Sequence, residues 1–140
     1  VNTSKGIVLG LLAAFLIPAI FAIWTDMHET IPPRNITGAR MFIIKRRILL
    51  YARAHDSLPP DLSALPPMQS QFDSLTVDEW GRPIDYTADP DGIVTLHSLG
   101  ADKAPGGTGV NADMIAVFSA RDSQGGWQDP TVPWNKDPLQ

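Results

Sequence analysis

Residues 83–118 read PIDYTADPDGIVTLHSLGADKAPGGTGVNADMIAVF, and the fold follows from this stretch. Pro83 to Thr87 (PIDYT) and Gly92 to Leu99 (GIVTLHSL) are short runs rich in strand-forming residues, separated by Ala88-Asp89-Pro90-Asp91. Pro and Asp at such a junction favour a tight turn, so the two runs predict an antiparallel hairpin. Met114 to Phe118 (MIAVF) supplies a third strand. A sheet this small has an apolar face to cover, and a packed helix is the minimal cover.

The helix lies upstream. Thr37 is placed as an N-cap for a helix from about Gly38 to His55. Met41, Ile44, Ile48, Tyr51, Ala52 and His55 recur at helical spacing on one face, with Arg40, Lys45, Arg46, Arg47 and Arg53 mostly off it. The elements together predict an α+β domain, one helix on a three-stranded antiparallel sheet. The basic side is either a solvated face or, beside a membrane, a site for anionic head groups. Nucleic acid suits it poorly, because the rest of the body is acidic and lacks basic strands. Between helix and sheet, residues 56–74 (DSLPPDLSALPPMQSQFDS) form a Pro- and Ser-rich connector that reads as too polar for a core element. Ile31-Pro32-Pro33 interrupts any helix arriving from the N-terminal side.

That N-terminal side is of a different character. Ile7 to Trp24 (IVLGLLAAFLIPAIFAIW) holds no charge over eighteen residues, and ~20 apolar residues cross a bilayer core. Trp24 suits the interface, and Pro18 is tolerable within a membrane helix. The pattern predicts a single-pass transmembrane helix over 7–24, preceded by a short segment, 1–6, and followed by a linker, 25–37. A cleaved secretory signal fits less well, for want of a small-residue cleavage site. The formal net charge of −4 over 140 residues conceals an asymmetry. Residues 1–55 carry seven Lys or Arg against two acids, whereas residues 56–140 carry four against thirteen. Basic residues flank the apolar segment on both sides, so the positive-inside count leaves orientation open.

The chain has no cysteine, which excludes disulfide scaffolds, zinc ribbons, iron–sulfur ligation and thiol catalysis. Chemistry is concentrated instead in the loop from Ser98 to Asp113. Its glycines at 100, 106, 107 and 109 permit sharp turns and expose carbonyls. Asp102 and Asp113 supply carboxylates and Asn111 an amide oxygen, a set that suits Ca²⁺. EF-hand spacing is absent, and a flexible glycine-rich loop is the alternative. A phosphate cradle is excluded, since no Lys-Ser/Thr follows Gly109. His28, His55 and His97 stand in no nucleophile motif and at no metal spacing. Asp78-Glu79 before Trp80 reads as turn capping rather than an acid/base pair, so a non-enzymatic role is expected.

The landmarks LYARAHDSLP (50–59), DEWGRPIDY (78–86), SLGAD (98–102), GGTG (106–109) and NADM (111–114) occur in a specific order and spacing. In these the run from Leu50 to Trp127 resembles the periplasmic domain of the major pseudopilin of type II secretion, protein G. The resemblance covers a little over half the chain. It implies a pseudopilin-like helix-plus-sheet domain over 38–124, exposed to the periplasm, with the N-terminus cytoplasmic and the anchor in a bacterial inner membrane. It also implies a structural calcium in the loop, with carbonyl oxygens from Leu99 and Val110 and side-chain oxygens from Asp102, Asn111 and Asp113. Asn111 stands where the family usually has Asp, which would weaken the site.

The front of the chain departs from the family. Lys5-Gly6 before Ile7 has the outline of a pseudopilin leader, but the fifth residue beyond it is Leu11 where the family has Glu. Ile31-Pro32-Pro33 also interrupts the family's long stalk helix. Residues 125–140 (GGWQDPTVPWNKDPLQ) extend past the family domain with Trp127, Trp134 and three prolines. They read either as a segment that anchors in a partner or as a disordered tail. Two functions follow. One is an accessory structural subunit bracing a larger inner-membrane complex (transport, respiratory or photosynthetic). The other is a working pseudopilin that polymerises into the secretion pseudopilus. Neither requires nucleic acid or a small-molecule substrate.

Overall fold

The computed structural model describes residues 31–70, 72 and 75–132. The transmembrane helix expected over 7–24, the segment 1–6, residues 25–30 of the linker and the end of the tail with Trp134 lie outside the described residues. Among the described residues, no helix is long and apolar enough to cross a membrane.

Helix α1 spans Pro33–His55 and is followed by a 3-10 turn, Leu62–Ala64, and then strands β1 (Asp85–Ala88) and β2 (Ile93–Ser98). A second 3-10 turn, Gly109–Asn111, precedes β3, Met114–Ser119. The strands form one antiparallel sheet in the order β1-β2-β3. Asp85 pairs with His97 across the first ladder, and Leu96 with Ala116 across the second. In β2 the alternation turns Val94, Leu96 and Ser98 inward. Val94 and Leu96 meet Met41, Ile44 and Ile48 of α1, and Ala116 and Phe118 of β3, in one core. The α+β architecture expected of the sequence is therefore present, one helix on a three-stranded antiparallel sheet.

Four local expectations change. The helix begins at Pro33, not Gly38: a proline in the first turn lacks an N–H that no helical carbonyl would have received. The Asn35 and Ile36 amides donate to the Pro32 carbonyl at 2.9 and 3.3 Å. Thr37 is thus inside the helix, fully buried, and its Oγ1 accepts from the Glu79 amide at 3.1 Å rather than capping α1.

The apolar face also narrows at its end. Tyr51 is half-buried and His55 exposed, because the chain leaves the helix at Asp56 in the left-handed region, φ 51°. The His55 ring stacks on Tyr51 with centroids 4.1 Å apart instead of entering the core.

The basic residues behave differently from a solvated face or a head-group site. Arg40, Lys45 and Arg47 are only 8%, 2% and 3% exposed. Arg40 donates to the Val77 and Asp78 carbonyls at 3.3 and 2.8 Å and pairs with Glu79 at 2.8 Å. The Lys45 ammonium lies 5.2 Å from the Phe118 ring centroid. Arg47 donates to the Leu65 and Pro66 carbonyls at 3.3 and 3.1 Å, and burial lowers its guanidinium below the ordinary value. Long stems crossing apolar surface to reach backbone carbonyls explain how cations sit inside the body. Arg46 and Arg53 alone of this set remain exposed.

Finally, the connector does enter the core. Leu62 and Leu65 are buried against the helix-sheet cluster. Asp61 makes this possible by capping the 3-10 turn, accepting from the Ser63 and Ala64 amides at 2.8 and 3.3 Å. The Ser63 hydroxyl and amide together lower the Asp61 carboxyl below its usual range.

Candidate functional site

The polar chemistry singled out in the sequence converges at one end of the sheet, where the turn at 78–82, the end of β2 and the glycine-rich loop meet. Asp78 is 1% exposed and organises the turn. Its Oδ1 accepts from the Trp80 and Arg82 amides at 3.0 and 2.9 Å. Its Oδ2 accepts from Ser98 Oγ at 2.8 Å and lies 3.1 Å from the Arg82 guanidinium. Asp78 is the turn-capping group expected of it, and it also ties the turn to the end of β2.

The loop itself is drawn closed by backbone bonds. The Ala101 amide donates to the Val110 carbonyl at 2.9 Å, and the Asp113 amide to the Gly106 carbonyl at 3.0 Å. Gly100, at φ +70°, lies so close to the returning strand that a Cβ there would fall 2.6 Å from the Asn111 carbonyl oxygen. Only glycine permits that approach.

Of the five residues expected to hold a cation, Val110 is joined to the 99–102 side by the Ala101 bond. Leu99 is half-buried beside a cleft of about 250 Å³ shared with Asp78, Arg82 and Lys103. Asp102 and Asn111 are exposed, and Asp102 Oδ1 accepts from the Ala104 amide at 3.1 Å. Asp113 is the most enclosed of the side-chain donors. Its Oδ1 is buried and receives no hydrogen bond, while its Oδ2 is 3.2 Å from His97 Nε2, too misaligned for a hydrogen bond. His97 Nδ1 is 3.9 Å from Asp85 Oδ2 on the neighbouring strand. Among the described residues, no three His, Asp or Glu side chains are grouped to hold a metal. The expected set has only two carboxylates, with an amide and two carbonyls, so its chemistry is that of a hard, oxygen-seeking cation. The unsatisfied buried oxygen of Asp113 fits that chemistry, since a buried acceptor normally has a partner.

Two arginines at this site were given no role by the sequence. Arg34, in the first turn of α1, donates to the Ala112 carbonyl and, at 3.5 Å, to the Asp113 carbonyl. Arg82, the third residue of the WGRP turn, donates to the Gly100 carbonyl. In the sequence Arg34 registers only as a flanking charge. Both contacts are made by side chains reaching backbone atoms far along the chain, for which no spacing rule exists.

Comparison with protein-family models, with curated proteins and with solved structures found no match to this chain.

Proposed function

We propose that this chain is a non-catalytic, membrane-anchored structural subunit whose pseudopilin-G-like domain faces the periplasm and braces a larger inner-membrane complex. One observation carries the reading. Three of the segments that bear the resemblance, DEWGRP, SLGAD and the glycine-rich loop, are joined into one packed unit by Asp78–Ser98, Arg82–Gly100 and Ala101–Val110. Separate motifs that cooperate in one place support a shared ancestry of the domain better than any single motif does. A groove between α1 and β3 with Phe42 and Ile115 exposed at 41% and 63% offers apolar surface for a neighbouring subunit. The anchor is the apolar segment 7–24, in contact with lipid. No nucleic acid and no small-molecule substrate enters this role.

Leu99, Asp102, Val110, Asn111 and Asp113 would hold a structural Ca²⁺, supplying two carbonyls, an amide oxygen and two carboxylates. The metal would supply the second pole of charge that the carboxylates lack. Full-length protein in mild detergent is expected to melt at a lower temperature in EGTA, and to recover when excess Ca²⁺ is added. An unchanged melting temperature would remove calcium from the proposal.

Gentle detergent extraction, followed by identification of what co-purifies, tests the function. A fixed stoichiometry with unrelated inner-membrane subunits is expected. Recovery as a homopolymer with secretion proteins would instead establish the working pseudopilin, the reading that the domain resemblance favours.

A further inference from the structure

The glycine-rich loop has cations of its own. Arg34 occupies the first turn of α1, a position where the helix dipole disfavours positive charge, and that turn contains no acid. A residue that breaks a local rule is commonly held there by a distant contact. Here the contact is the end of the loop: the guanidinium takes the carbonyls of Ala112 and Asp113. Arg82 does the same at the start of the loop. It takes the Gly100 carbonyl and is itself held by Asp78 Oδ2 at 3.1 Å and by the Trp80 ring, 5.5 Å away. The two ends so gripped are adjacent, because a Cβ on Gly100 would lie 2.7 Å from the Ala112 carbonyl oxygen. Both arginines therefore act on one seam.

We propose that Arg34 and Arg82 are positioning residues that clamp the two ends of the loop and keep it folded when no metal is bound. The carbonyls they take, at 100, 112 and 113, are distinct from the Leu99 and Val110 carbonyls assigned to calcium. The clamp and the metal do not compete for atoms. The arginines supply fixed positive charge at the seam, and the metal would add to a loop that is already shaped. This makes the metal a supplement to the fold, consistent with Asn111 standing where a third carboxylate would strengthen the site. Only the metal arm of this inference rests on the calcium reading above.

The test uses full-length protein in detergent, wild type and Arg34→Gln, with amide hydrogen exchange measured in EGTA. Removing a clamp bond to a charged donor is expected to speed exchange at the Ala101, Asn111 and Asp113 amides by ~10-fold or more, with the sheet amides of β2 unchanged. Arg34→Lys keeps the charge but not the fork and should fall between the two. Arg82→Gln should loosen the same amides from the other side. Exchange at wild-type rates in Arg34→Gln would overturn the clamp. Melting curves in EGTA and in excess Ca²⁺ then separate the two ideas. A calcium-induced rise in melting temperature that is larger in Arg34→Gln than in wild type supports a clamp that the metal backs up. An equal loss in both conditions, with no change in loop exchange, reduces Arg34 to an ordinary stabilising contact. A wild type indifferent to calcium, with faster loop exchange in Arg34→Gln, retains the clamp and discards the metal.

Discussion

At the residue scale, Asp78 ties the turn at 78–82 to the end of β2. Its two oxygens receive two backbone amides, a serine hydroxyl and a guanidinium. Asp78→Asn presents one acceptor and turns an NH₂ toward a donor, leaving Arg82 without its counter-charge. A loss of ~3 kcal/mol in stability to urea is expected, on the scale of a buried pair deprived of one partner. Tyr86 gives the domain an alkaline limit. Its hydroxyl donates to the Pro59 carbonyl at 2.9 Å, and burial raises its ionisation above the ordinary 10.0. A raised value means the unfolded chain loses its proton first. The contribution is thus complete below pH 10 and disappears as pH rises through the folded value. Melting temperature measured from pH 9 to 11.5 should fall more steeply for wild type than for Tyr86→Phe. Asp78 was legible in the sequence as a turn cap because its acceptor role is local. Its bond to Ser98, twenty residues on, has no local signature.

At the scale of elements, the helix was legible from its apolar period, and the strands from short runs of strand-forming residues bounded by turn chemistry. The connector was not. Its leucines, Leu58, Leu62 and Leu65, sit among prolines and serines with no period to follow, and what brings two of them into the core is the Asp61 cap. Leu62→Ala should therefore cost ~2–3 kcal/mol in denaturant unfolding, as a core leucine does, whereas a loop residue would cost almost nothing. The cationic face of α1 misleads for a related reason. Periodicity assigns a side chain to a face by the position of its Cα, but Arg40 and Arg47 extend far enough to reach the carbonyls of the turn and the connector. Those acceptors come from other parts of the chain and exist only once it has folded.

At the scale of the whole molecule, the C-terminal end of the described domain is fastened to the end of α1. Residues 125–128, which the sequence places in an extension, return along the chain. The Gln128 amide donates to the Ala120 carbonyl at 2.9 Å, and Trp127 bridges to Arg121. The Trp127 indole donates to Asp56 Oδ1 at 2.8 Å, just past α1, while the Arg121 guanidinium lies 3.4 Å from its ring centroid. Trp127→Ala should cost ~2–3 kcal/mol and still unfold in one transition, since a half-exposed indole loses less than a fully buried one. Trp127→Phe, which keeps the ring and loses the hydrogen bond, should cost about 1 kcal/mol. By itself the sequence determined the class of the fold and its first hairpin, and it marked out the glycine-rich loop. These depend on periodicity, turn chemistry and composition, all of which are local along the chain. Tertiary structure alone decided that Arg40, Lys45 and Arg47 are interior, that Leu62 and Leu65 of the connector are core and that two arginines grip the loop. Each of these is a side chain meeting a backbone carbonyl, or filling a space, supplied by a distant segment, and neither exists until the segments are packed.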